Sequence, residues 1–151
     1  MRGAIWPERL AAAILLTLLQ VLVAGAAGSG PTLPSLATPL TAVPGDPVRG
    51  RQVVRDVNKA TCLICHAMPI PEEPDPGNIG PDLTGVGSRF TAAELRQRVV
   101  DASVANPGTV MPPYYRRDGL YRVLDRYKDE TVYTAQDVED VVAYLQSLKG
   151  P

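Results

Sequence analysis

Two cysteines stand three residues apart in this chain, and a histidine follows the second at once: Cys62-Leu63-Ile64-Cys65-His66. They are the chain's only cysteines and its only histidine. Cysteines at i and i+3 lie about one helical turn apart on one face, so both sulfurs can add to the two vinyl groups of a single porphyrin. The histidine next door is then carried beneath the ring, where its imidazole can bind iron. The pattern therefore predicts one covalent haem c, attached through Cys62 and Cys65, with His66 as an iron ligand. Three other uses of the motif are weaker. A structural zinc site needs a fourth ligand, and no further cysteine or histidine exists to supply it. A thioredoxin-like redox pair needs βαβ surroundings, whereas the flanking chain reads helix, loop, helix. A disulfide across two intervening residues closes a very small loop and contributes little stability.

The second axial position is open to methionine, lysine, water or nothing, because the histidine and both cysteines are already used. Met68 follows His66 by two residues and cannot reach the other side of a ring held there, so it is expected to pack in the core. Met111 is the expected ligand. It sits in Asn106-Pro107-Gly108-Thr109-Val110-Met111-Pro112-Pro113, where Pro112 biases it to extended backbone and the prolines stiffen the loop. A thioether favours reduced iron and raises the potential, which suits a centre that accepts and passes on electrons.

An apolar run from Leu10 to Ala24, preceded by Arg2 and Arg9 and ending in small residues, reads as a secretory signal over residues 1–26. Residues 27–45 are proline-rich and poor in apolar bulk, and are expected to form a mobile leader. The single domain should occupy 46–151. Beyond the signal, 13 Lys+Arg face 15 Asp+Glu, a net −2 that argues against nucleic acid as a partner.

Within that domain the helix signals are local and clear. Asp46 and Pro47 open a helix running to about Asn58. Thr91 with Glu94 forms a capping box for a second helix through Leu95, Val99 and Val100. Thr134 with Asp137 opens the last, whose Val138, Val141, Val142, Leu145 and Leu148 recur at helical spacing before Gly150. No strands are indicated, so the fold class is all-α: three or more short helices with loops. One phenylalanine and six tyrosines make a lean aromatic core, and a bound group is expected to fill the centre. The only tryptophan, Trp6, lies in the signal, so Tyr114 or Tyr115 is the candidate to bond a haem propionate. Gly50 is expected to let the first helix approach the last, and Gly80, Gly85 and Gly87 to let backbone lie near a porphyrin. Arg89, Arg116 and Arg117 are expected on a solvated face. The acidic, proline-rich stretch from Met68 to Asn78 reads as loop.

Over residues 46 to 149 the order of helix, CxxCH, glycine-rich loop, methionine loop and terminal helix resembles the class I cytochrome c fold. Gly80-Pro81-Asp82-Leu83-Thr84-Gly85-Val86-Gly87-Ser88-Arg89, Leu95-Arg96-Gln97-Arg98-Val99-Val100-Asp101, Met111-Pro112-Pro113-Tyr114-Tyr115-Arg116 and Thr134 to Val142 are similar to the SoxX family. That family is the small monohaem subunit of the SoxAX cytochromes. The resemblance implies a periplasmic heterodimer with a SoxA-type haem subunit, where thiosulfate is joined oxidatively to a cysteine of the carrier protein SoxYZ. The small subunit receives the electrons and hands them to a downstream acceptor. It would be the non-catalytic subunit of an L-cysteine S-thiosulfotransferase, with Cys62 and Cys65 as attachment sites and His66 and Met111 as the axial pair. Both cysteines are consumed by attachment, so the sulfur chemistry must sit on a partner. The competing expectation is a free-standing electron shuttle, which would make only a small transient interface.

Overall fold

The computed structural model describes residues 36–150; the expected signal, and the leader up to residue 35, lie outside the described residues. Four α-helices and four single 3₁₀ turns make up the described chain, with no strand beyond one isolated bridge between Val86 and Lys149. The all-α expectation holds.

Helix α1, Pro47–Arg55, starts as the sequence dictates: the Asp46 carboxylate accepts from the Val48 and Arg49 amides at 2.7 and 3.1 Å, and Pro47 takes the first turn. It stops three residues earlier than expected. Asp56 is extended and its side chain accepts the Asn58 N–H at 2.9 Å, a local bond that competes with another helical turn and nucleates a 3₁₀ turn over Val57–Lys59. Helix α2, Val86–Arg89, is a single short turn. Helices α3, Ala92–Asp101, and α4, Ala135–Ser147, both carry the full reciprocal capping box, Thr91 with Glu94 and Thr134 with Asp137. Leu148 rather than Gly150 caps α4, and the last residues turn back to meet Val86 and Gly87.

Helix α4 is the centre of the fold and is buried on nearly every side, through Val138, Val141, Val142, Tyr144 and Leu145. α1 lies against it at Gly50, where a Cβ would stand 1.9 Å from the Asp140 carbonyl oxygen, so only glycine permits this approach. Gly87 meets the Leu145 and Gln146 carbonyls in the same way, and Gly85 adopts φ +69° beside Gly150. These two glycines flank Val86 and join α2 to the end of α4.

Charge pairs, one of them fully buried, lock the helices together. Arg96 of α3 makes a two-pronged pair with Glu139 of α4 at 2.7 and 2.8 Å, with both side chains only 5% exposed. Arg49 of α1 grips Asp140 at 2.7 and 2.9 Å. The end of the leader differs from the expectation of a mobile segment, because the same buried pair ties it down. Arg96 donates to the Leu36 carbonyl at 2.6 Å, the Leu40 N–H donates to Glu139 at 2.8 Å, and Leu40 packs against the core.

The acidic stretch after the cysteine motif forms no helix or strand, as expected, yet it is anchored. Met68 and Ile70 are buried in the core, and Glu72 and Glu73 pair with Arg51 and Arg55 of α1.

Candidate haem-binding site

The cysteine motif is held by both the chain before it and the chain after it. Thr61 caps the 3₁₀ turn Cys62–Ile64 and donates its hydroxyl to the Val54 carbonyl at 2.6 Å, which fixes the turn to the end of α1. The Cys65 and His66 amides both donate back to the Cys62 carbonyl, at 3.1 and 2.9 Å. One tight turn thus aligns the two cysteines, which are free thiols. The glycine-rich segment runs alongside: the Gly77, Gly80 and Leu83 amides donate to Leu63, Cys65 and Ala67 carbonyls at 2.8 to 3.0 Å.

That segment also orients His66. Its Nδ1–H donates to the Pro81 carbonyl at 2.7 Å, a contact that makes Nδ1 the protonated nitrogen and leaves Nε2 with a free lone pair for a metal. Gly80 lies flat against the imidazole, and a Cβ there would sit 2.3 Å from Cε1. The carbonyl that holds the ring is invisible to motif reasoning, because any residue at position 81 carries one.

Met111 arrives from the other end of the chain. Its loop hangs from the end of α3 by bonds from the Tyr114 and Tyr115 amides to the Val99 and Val100 carbonyls, and its own N–H donates to the Thr109 hydroxyl at 3.1 Å. Tyr133, just ahead of α4, donates its N–H to the Tyr114 carbonyl, and the two rings stack at 4.6 Å. Arg116 pairs with Asp101 at 2.6 Å, which braces the loop. Burial opposes ionisation of Asp101, but the Ser103 bonds and Arg116 outweigh it and hold its carboxyl below the usual range.

Cys62, Cys65, His66 and Met111 all line one cavity of about 680 Å³, whose wall is mostly apolar and includes Leu83, Val99, Val141 and Leu145. The volume is in the range of a cofactor pocket. Two thiols, an imidazole with its Nε2 free and a thioether, converging on an apolar cavity, form the donor set a covalent haem requires. Burial pushes the Cys62 thiol up to about 11, so it is kept as a neutral thiol. Tyr114 and Tyr133 line the cavity as well, and burial raises both phenols. Arg89 and Arg117 are exposed, as expected, and Arg116 is half-buried; Arg89 also lines the cavity and clasps its loop by donating to the Thr84 and Asp82 carbonyls. Tyr133 had no role in the sequence-based expectations; its place directly ahead of the α4 cap was the available signal.

The sequence pattern of the cytochrome c family matches residues 48–149, and the chain belongs to that family. It carries one covalent haem c with its iron. No curated protein matches the chain. Among solved structures, SoxXA from P. pantotrophus is similar at 35% identity and a TM-score of 0.68, over 77% of this chain and 90% of the other. Fold and likeness together define a SoxX-like cytochrome of class I architecture.

Proposed function

We propose that this chain is the electron-transfer haem subunit of a SoxAX-type complex, with Cys62 and Cys65 as the two thioether attachments and His66 and Met111 as the axial ligands. The convergence of those four side chains on one apolar cavity carries this reading, and the likeness to SoxXA supplies the partner. The haem contributes a reversible one-electron couple. The protein holds His66 in one tautomer through the Pro81 carbonyl and presses a thioether loop into the cavity. It also packs the apolar side chains of Val99, Val141 and Leu145 along the cavity wall.

In that complex a SoxA-type haem subunit is the heterodimer partner, and thiosulfate is coupled there to a cysteine thiolate of a SoxYZ-type carrier. Forming that S–S bond releases two electrons, which leave one at a time through the present subunit to a downstream acceptor. Export to the periplasm with removal of residues 1–26 fits such a role. Both cysteines of the chain line the haem cavity, so the sulfur nucleophile belongs to the partners.

Co-expression with a SoxA-type subunit under conditions of c-type maturation tests the proposal. The expected result is a 1:1 complex whose thiosulfate-dependent, carrier-dependent reduction of an acceptor is lost when this chain is omitted. A haem-loaded chain that stays monomeric and leaves that reduction unchanged would refute it in favour of a free shuttle.

A further inference from the structure

Tyr133 is among the most enclosed side chains of the described residues, at 1% exposure, yet it carries a hydroxyl. A buried phenol that finds no partner is costly, and buried tyrosines ordinarily bond a nitrogen or oxygen. Here the contact found for the hydroxyl is sulfur: Tyr133 Oη lies 3.8 Å from Cys62 Sγ. Stacking on Tyr114 fixes the ring plane, and the Tyr133 N–H to Tyr114 carbonyl bond fixes its backbone, so the hydroxyl is aimed rather than free to swing. Phenylalanine would fill the same space without the desolvation cost. The oxygen therefore calls for a chemical account.

With Cys62 as a thiol, either atom can donate. Attachment of the haem removes that ambiguity, because a thioether sulfur has no proton and only accepts. We infer that Tyr133 is the hydrogen-bond donor to the Cys62 thioether, and that through this bond it raises the electron affinity of the haem. The inference rests on the haem assignment proposed above. Its sign follows from electrostatics: the reduced centre holds one more electron than the oxidised one, so a positive O–H end fixed at the macrocycle's edge stabilises the reduced form more.

The test uses exported, matured full-length protein and its Tyr133→Phe variant, with Tyr144→Phe as control. Tyr144 is also buried in α4, but it does not line the cavity. In Tyr133→Phe the oxidised-to-reduced equilibrium should move about two- to fivefold toward the oxidised form, roughly 18–41 mV lower at about 59 mV per tenfold. Tyr144→Phe should leave it in place. In the wild type, the resonance Raman band of the Cys62 C–S stretch should shift in heavy water, and the shift should vanish in Tyr133→Phe. An unchanged or raised potential in haem-loaded Tyr133→Phe, an equal fall in Tyr144→Phe, or no deuterium shift in the wild type would each overturn the inference. The last needs no variant to fold. A wild type that carries no haem mass would instead sink the underlying assignment, so the two failures are distinguishable.

Discussion

Replacing Glu139 by alanine removes one half of an ion pair that is shut away from water on both sides. Burial opposes ionisation at Glu139, but the Arg96 guanidinium and the Leu40 N–H outweigh it and hold the carboxyl below its ordinary range. In Glu139→Ala the Arg96 charge, 4% exposed, loses both prongs and keeps only the Leu36 carbonyl. Orphaning a buried charge costs about 3–5 kcal/mol, against a total stability of about 5–15 kcal/mol for a domain of this size. The loss should appear as a lower midpoint, at an unchanged slope, in denaturant unfolding of the haem-loaded protein. Glu139→Gln keeps an acceptor for Leu40 and Arg96, and should lose less. The apolar pair Arg96→Met with Glu139→Leu should recover most of the loss, since a buried ion pair owes its desolvation before it contributes anything. Residues 36–45 should become more protease-sensitive in Glu139→Ala, because Leu40 is anchored to the same carboxylate and Leu36 to its Arg96 partner. A single variant within about 1 kcal/mol of the wild type, or a double variant as unstable as the two singles summed, would refute this account of how α3, α4 and the leader are joined.

Three further outcomes are expected. Met111→Ala should abolish the sulfur-to-iron charge-transfer band of the oxidised protein and shift the redox equilibrium toward the oxidised form by about a hundredfold, ~120 mV; retention of the band would remove Met111 from the iron. Gly80→Ala forces a Cβ to within 2.3 Å of the His66 ring, and the tilt should break the Pro81 bond and weaken axial ligation by about 10–100-fold, read as a rise in high-spin absorption. Burial opposes ionisation of Asp140, but bonds from Arg49, Gln136 and the Asp46 amide outweigh it, and its folded pKa lies below the ordinary 3.8. A depressed carboxylate contributes stability that is full above the unfolded value and lost as pH falls through the folded one. The advantage of wild type over Asp140→Asn in denaturation midpoint should therefore be full at pH 7 and shrink below about pH 4.

What could be read from the sequence is what depends on neighbours along the chain. The caps at Asp46, Thr91 and Thr134 act over two or three residues, and each is found with the partner its spacing indicated. The cysteine motif is likewise a five-residue statement, and its three expected side chains share one cavity with Met111. Helix α1 ran short because Asp56 makes a competing bond that helical periodicity does not register. The ion pairs were not legible: Arg96 and Glu139 are 43 residues apart, Arg49 and Asp140 are 91 apart, and in sequence each reads as a surface charge. A signal did exist for the acids. Glu139 and Asp140 stand between Val138 and Val141, inside the apolar stripe of a helix too hydrophobic to keep a wet face there.

The same contrast explains how the fold divides its work. The helical frame is set by contacts between backbones at Gly50 and Gly87 and by the Arg96–Glu139 and Arg49–Asp140 pairs, none of which touches the cysteine motif or Met111. The site's own residues come from two loops that meet across that frame, one pinned at Val54 and Pro81, the other at Val99 and Val100. A change in the frame should therefore alter stability with little change in potential, and a change in either loop should do the reverse. Tyr133 is the position where the two meet, since its amide holds the methionine loop through Tyr114 while its hydroxyl reaches the cysteine loop at Cys62. Tyr133→Ala, which removes the stacking on Tyr114 as well as the hydroxyl, should move both quantities together.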